Sequence, residues 1–240
     1  MTAGAEGSAP LRLLCAGAAK GLVAALESSF TAANGVALDA TFGAVGVLRE
    51  TLASGAACDV VVLTAALIGT LERDGEIVPG TAQPLGTVRT GLAVRVGEPL
   101  PEIGDGEALR AALVRASRLL FPDPERSTAG VHFVDVLQRL GVHDEVADRV
   151  TTFPNGALAM RALAEARAGG EVGCTQVTEI RYTPGVVLVG ALPPGFDLAT
   201  VYTAAVCTRA RDADLARRFV ALLAGADSRE LRVRGGFEIR

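Results

Sequence analysis

The chain has no tryptophan, and only two tyrosines and two histidines among its 240 residues. Aromatic residues make up 4% of it and apolar residues half, so the core has to be built from Ala, Val and Leu. Such a core suits helices laid on sheets better than an aromatic-rich β-sandwich. Lysine is almost absent: Lys20 stands beside 22 arginines. Acids and arginines are interspersed, for a net charge of −4. A nucleic-acid surface needs a concentrated basic patch, so no nucleic-acid partner is expected. No apolar run reaches the ~18 residues of a membrane helix, which excludes membrane insertion by that route. The four cysteines, Cys15, Cys58, Cys174 and Cys207, each lie in or beside an apolar run. No two have metal-ligand spacing, so they read as buried, reduced thiols. No metal-ligand set is legible, so no metal site is expected; the nucleophile elbow is missing, and without a phosphate-binding loop or dinucleotide fingerprint no cofactor is expected. The opening MTAGAEGSAP lacks the basic and apolar regions of a secretory leader. The expected location is therefore cytoplasmic, or periplasmic if a leader has been removed.

What is present is organised around residues 11–30, LRLLCAGAAKGLVAALESSF. A short apolar run reads as a buried strand, and Ala16, Gly17, Ala18 and Ala19 as a tight turn. Leu22, Ala25, Leu26 and Phe30 then follow at helical spacing. Such a unit aims free N–H groups and a positive helix end at whatever lies above the strand tip. The same plan repeats. Residues 35–42 read as a strand, residues 43–46 as a small-residue turn and residues 47–52 as a helix. The run DVVVL at 59–63 has the composition of a central parallel strand. Further strands are predicted over 88–96, 118–121, 151–153, 172–176, 186–189 and 202–208, and helices over 65–74, 106–116, 130–140, 157–168, 212–223 and 228–234.

Alternating strands and helices predict parallel sheets covered by helices. About ten strands are too many for one small sheet. The expectation is a two-lobed α/β protein with residues 1–87 and 201–240 in one lobe and residues 88–200 in the other. A ligand cleft would lie between the lobes, lined by helix N-termini from both sides.

The segments CAGAAKGL, ATFGAVGVLRETLASGAACDVVVLTA, FPDPERSTAGVHFVDVLQRLGV and GCTQVTEI resemble, in order and spacing, the molybdate-binding proteins of ABC importers. The resemblance runs from about Leu11 to Ile239. It implies the type II periplasmic-binding-protein fold, which closes on an anion like a hinge. The family usually sets a serine hydroxyl in each of the first two loops and often a tyrosine in a later strand. Here those positions hold Ala18, Val45 and Gln176. A desolvated tetrahedral dianion would be left short of donors. The AGAAKG loop and the TQVTEI stretch are more similar to another branch of the superfamily, aconitate isomerase and its relatives. Those proteins interconvert cis and trans forms of an unsaturated tricarboxylate.

The resemblance implies a small organic anion as partner and an allylic 1,3-proton shift as reaction. Lys20, at a helix N-terminus whose positive end disfavours its ammonium form, is the first candidate acid–base group, and His132 the second. Substrate-binding candidates are Ala18, Ala19, Ala44 and Val45 in the first two loops. Ser127, Thr128 and Ala129 follow where the third loop enters a helix. Asn155 and Gly156 form a turn, Thr175 and Gln176 end a strand, and Tyr202 lies near the second crossing. For Ser127 and Thr128 plain helix capping competes with ligand contact, and for Asn155 and Gly156 turn formation is the simpler reading. Arg126 and Arg161 are the arginines best placed to pair with carboxylates, with a solvated charge as the default. The alternative function is solute capture for an ABC importer of molybdate-like or organic anions, without catalysis and with an ABC permease as partner.

Overall fold

The computed structural model describes residues 9–239. Residues 1–8, on which the reading of a missing leader largely rests, lie outside them. The elements in chain order are β1 (Leu11–Ala16), α1 (Lys20–Asn34), β2 (Leu38–Gly43), α2 (Val45–Ala53), β3 (Val60–Thr64), α3 (Ala65–Arg73), β4 (Gln83–Arg95), α4 (Gly106–Arg115), β5 (Arg118–Pro122), α5 (Thr128–Arg139), α6 (His143–Val146), β6 (Val150–Phe153), α7 (Gly156–Glu165), β7 (Glu171–Gln176), α8 (Val177–Tyr182), β8 (Val186–Ala191), β9 (Ala199–Val206), α9 (Ala213–Ala224) and α10 (Arg229–Gly235). A 3-10 turn, Gly17–Ala19, joins β1 to α1.

Local chemistry sets several of these boundaries. The helix α1 stops where Gly35 turns left-handed at φ 67° and donates to the Thr31 carbonyl. Side-chain oxygens of Thr64, Asp105, Asn155 and Asp212 accept backbone N–H groups at the starts of α3, α4, α7 and α9. Along α9, Leu215, Ala216, Phe219, Val220 and Leu223 form one buried stripe, and Phe219 meets Phe30 of α1 edge-on.

The strands run β2-β1-β3-β9-β4-β7-β5-β6, with β8 on the other side of β4. The outer units are parallel, β1 with β2 and β3, and β5 with β6 and β7. The crossing strands β4 and β9 run antiparallel to every neighbour. That is where the structure departs from an unbroken βαβ reading: a strand that carries the chain across and one that brings it back have to point opposite ways. Strand β4 serves both sheets. Gln83 to Arg89 pair with β9, whereas Thr90 to Arg95 pair with β7 and β8. The hydrogen-bonded path is thus continuous through β4, but the cores it supports are separate. Val88 packs with Leu13, Val62 and Phe219, and Leu92 with Phe121, Phe133 and Leu137. The two lobes of this α/β fold meet along the tips of β1, β2, β5 and β7.

Candidate functional site

Five helix N-termini converge between the lobes. The 3-10 turn leading into α1 and the start of α2 come from one side. The starts of α5, α7 and α8 come from the other. Together with Tyr202 of β9 they enclose a cavity of about 20 Å³, room for roughly one water. Each helix start turns unpaired N–H groups and its positive dipole end toward this space, so the cavity seeks negative charge. The lobes are latched beside it: the Gly46 N–H donates to the Arg126 carbonyl at 2.9 Å. Two larger grooves, of about 450 and 670 Å³, lie along α9 and beside the C-terminal segment. Neither gathers helix N-termini in this way.

The cavity brings together ten of the residues singled out from the sequence: Ala18, Ala44, Val45, Ser127, Thr128, Ala129, Asn155, Gly156, Gln176 and Tyr202. Ser127 is buried and precedes α5, yet its hydroxyl caps nothing. Asn155 follows the simpler reading, accepting the Leu158 N–H at 3.0 Å to cap α7. Gln176 is 2% exposed, and neither its amide nitrogen nor its oxygen has a partner. A buried primary amide left unpaired on both atoms is costly unless something else satisfies it. Thr128 and Tyr202 both line the cavity, and burial keeps the Tyr202 phenol protonated.

Four of the sequence candidates lie off the cavity wall. Ala19 is buried behind the first turn. Thr175 sits under the wall and acts through a neighbour. Lys20 begins α1, and its ammonium lies over the Phe42 ring, 5.5 Å from the centroid. His132 lies one turn into α5, where its Nε2 is 2.8 Å from the Phe196 carbonyl oxygen. It does not line the cavity, because it stands one turn further along α5 than Thr128. Arg126 and Arg161 are exposed.

Sequence reasoning missed Glu179. It is the one carboxylic acid on the cavity wall and is 7% exposed. The Thr175 hydroxyl donates to it at 2.5 Å, and the backbone amides of Gln176 and Ala157 favour its ionised form. Gly17 and Gly156 flank it so closely that a β-carbon at either position would overlap a carboxylate oxygen. Burial pushes the Glu179 carboxyl above the usual range, although Thr175, these amides and the Lys20 charge pull the other way. The site is therefore an electropositive pocket of helix ends that already holds one titratable carboxyl. A signal for it existed in TQVTEI: an acid three residues beyond a strand-end Gln, followed by Ile180. No metal-binding cluster of three or more His, Cys, Asp or Glu residues occurs among the described residues.

The chain is 26% identical over 227 residues to aconitate isomerase from a Pseudomonas species, covering 91% of this chain and 83% of that protein. Its fold is similar to that of the periplasmic molybdate-binding protein of Azotobacter vinelandii, with a TM-score of 0.77 and 17% identity over 96% of this chain and 99% of that one. It is also similar to that of the sulfate-binding protein SubI of Mycobacterium tuberculosis, with a TM-score of 0.73 and 19% identity over 96% of this chain and 86% of that one. The profile of the bacterial extracellular solute-binding protein family matches residues 11–238. The chain belongs to this family.

Proposed function

We propose that this solute-binding-family protein takes a small organic anion with two or three carboxylates into the cavity between its lobes and isomerises it by an allylic proton shift. One observation carries the reading: a buried carboxyl, Glu179, and an unpartnered buried amide, Gln176, face the same pocket of converging helix ends. A pocket for a tetrahedral oxyanion alone needs donors and gains nothing from a carboxyl on its wall. A pocket for proton transfer needs such a group, with its pKa moved toward working pH. The relationship to an aconitate isomerase supports the same choice.

The cavity is too small for a tricarboxylate, so binding requires the lobes to part. The hinge then lies at Arg89 and Thr90, where β4 changes partners, and at the start of β9. On closure, the helix N-termini and the Ser127 and Thr128 hydroxyls hold the substrate carboxylates, and the Gln176 amide fixes the position of one of them. Ionised Glu179 takes a proton from the methylene carbon. The electron pair of that C–H bond spreads over the allyl system and its carboxylate, where the helix ends stabilise it. Protonated Glu179 returns the proton to the far, formerly vinylic carbon, and the double bond has moved. Glu179 thereby replaces Lys20 and His132 as the acid–base group, and Lys20 acts on it through its charge.

Isomerisation is tested by following cis- and trans-aconitate by NMR with the wild-type protein, beside calorimetric titration with both acids, molybdate and sulfate. The reading requires carboxylate binding and interconversion; tight molybdate binding with neither would defeat it. A second reading, capture of an organic anion for an ABC permease without chemistry, draws support from the family's extracellular description. The same description favours a location outside the cytoplasm, and nothing supports the cytoplasmic expectation. Carboxylate binding without turnover would select this second reading.

A further inference from the structure

Cys58 and Cys207 are nearly 150 residues apart in the chain and neighbours in space. Cys58 precedes β3, and Cys207 follows β9, the strand that returns the chain from the second lobe. The two strands are antiparallel, with Val60 opposite Val206. The Cys207 N–H donates to the Asp59 carbonyl at 3.0 Å, and the chain bends at Asp59. Both side chains join one apolar cluster with Leu14, Leu48, Val61 and Ala205. Each thiol shifts the ionisation of the other, and the Cys58 thiol donates to the Val60 carbonyl at 3.1 Å. The other cysteines are isolated from this pair and from each other, Cys15 in the first-lobe core with Leu13 and Val62, Cys174 in the second-lobe core with Leu92 and Phe121.

All four cysteines are free thiols in this structure. We propose that Cys58 and Cys207 form a disulfide when the chain folds in the presence of a disulfide oxidant. The two S–H bonds break and one Sγ–Sγ bond forms. The two electrons and two protons pass to a low-molecular-weight disulfide such as oxidised glutathione, which leaves as two thiols. The pair is buried once folded, so the exchange takes place during folding, before the cluster closes. The bond ties the returning segment, with β9, α9 and α10, to the part of the same lobe made from the start of the chain. That segment supplies Phe219 and Leu223 to the first core, and the bond removes the freedom of a very long loop from the unfolded chain.

The full chain is unfolded in denaturant, refolded with oxidised glutathione, alkylated with iodoacetamide under denaturing conditions, digested and mapped by mass spectrometry. The proposal expects a peptide carrying Cys58 linked to one carrying Cys207, with Cys15 and Cys174 alkylated. Melting of the refolded protein with and without reductant gives a second readout. The oxidised form should melt higher by roughly 10 °C, and Cys58→Ala/Cys207→Ala should melt identically in both conditions. Four alkylated cysteines, a scramble of pairings, or a redox-dependent melt that survives in the double variant would overturn it.

Discussion

Replacing Glu179 with Gln tests the site through stability and chemistry together. The substitution keeps the shape of the side chain and removes its titration. Burial raises the folded-state pKa of Glu179 above its usual value, by an amount opposed by Thr175, the amides of Gln176 and Ala157, and Lys20. The sign follows from proton counting. Below about pH 4.3, the ordinary value for glutamate, both folded and unfolded chains hold the proton and nothing is lost. As pH rises above that, the unfolded chain gives up its proton while the folded chain keeps it, so wild-type stability falls by up to about 1.4 kcal/mol per pH unit until the folded carboxyl ionises. For a chain of this size that is about 3–5 °C in Tm per pH unit. The difference between wild type and Glu179→Gln, measured by thermal melts from pH 4 to 8, should decline across that window and then level off. Turnover of aconitate by the variant should drop by about 10²-fold or more, while anion binding persists or tightens because a competing negative charge is gone. A pH-independent stability difference would refute the perturbed carboxyl. Unchanged turnover in Glu179→Gln would refute its catalytic role.

Other outcomes follow from the same geometry. Lys20→Arg should keep turnover, and Lys20→Met should move the pH–rate profile upward, because the ammonium favours the ionised form of Glu179; a loss of turnover in Lys20→Arg would return the proton-carrier role to Lys20. Gly156→Ala, whose β-carbon would overlap both Glu179 and the Thr175 hydroxyl, should cost about 1–3 kcal/mol in a denaturant melt and weaken the ligand. Its backbone is not left-handed, so the cost is one of space. Gln176→Leu, similar in volume and without unpaired polar atoms, should hold or raise stability while lowering carboxylate affinity by calorimetry. Asp59 is buried, which opposes its ionisation, but the Arg12 guanidinium and the amides of Arg12 and Arg211 outweigh burial and hold it at about 2. That depressed value contributes about 2 kcal/mol at neutral pH, lost as pH falls from about 4 toward 2; Asp59→Asn should lower Tm at pH 7 by about 4–8 °C.

Most of the architecture could be read from residue order because the strands are apolar runs and the turns between them are small or polar. The DVVVL run and the stripe on α9 each carry their own physical signal, whereas Gly35, read as the start of a strand, is the left-handed cap of α1. Strand β4 could be read only in its second half, since Pro84 and Gly86 interrupt the pattern where it pairs with β9 through a bulge. The helix α6, four residues long, is too short for periodicity to register. The cavity wall was legible because small residues after strand tips are where a backbone can meet a ligand. The chemistry on that wall was harder to assign. Lys20 and His132 drew attention by rarity, yet one sits over Phe42 and the other on the Phe196 carbonyl. Glu179 is one of 27 acidic residues. Its distinction is burial against Gly17 and Gly156, a contact between distant segments that its place in TQVTEI does not show.

The account rests most directly on whether this pocket moves a proton on a bound carboxylic acid. Incubating the wild-type protein with cis-aconitate in deuterated water and recording proton spectra over time addresses that. The account predicts conversion between the cis and trans isomers with the transferred hydrogen largely retained, because Glu179 returns the proton it took, and no conversion in Glu179→Gln. Spectra unchanged in the presence of wild-type protein that binds the acid would contradict it.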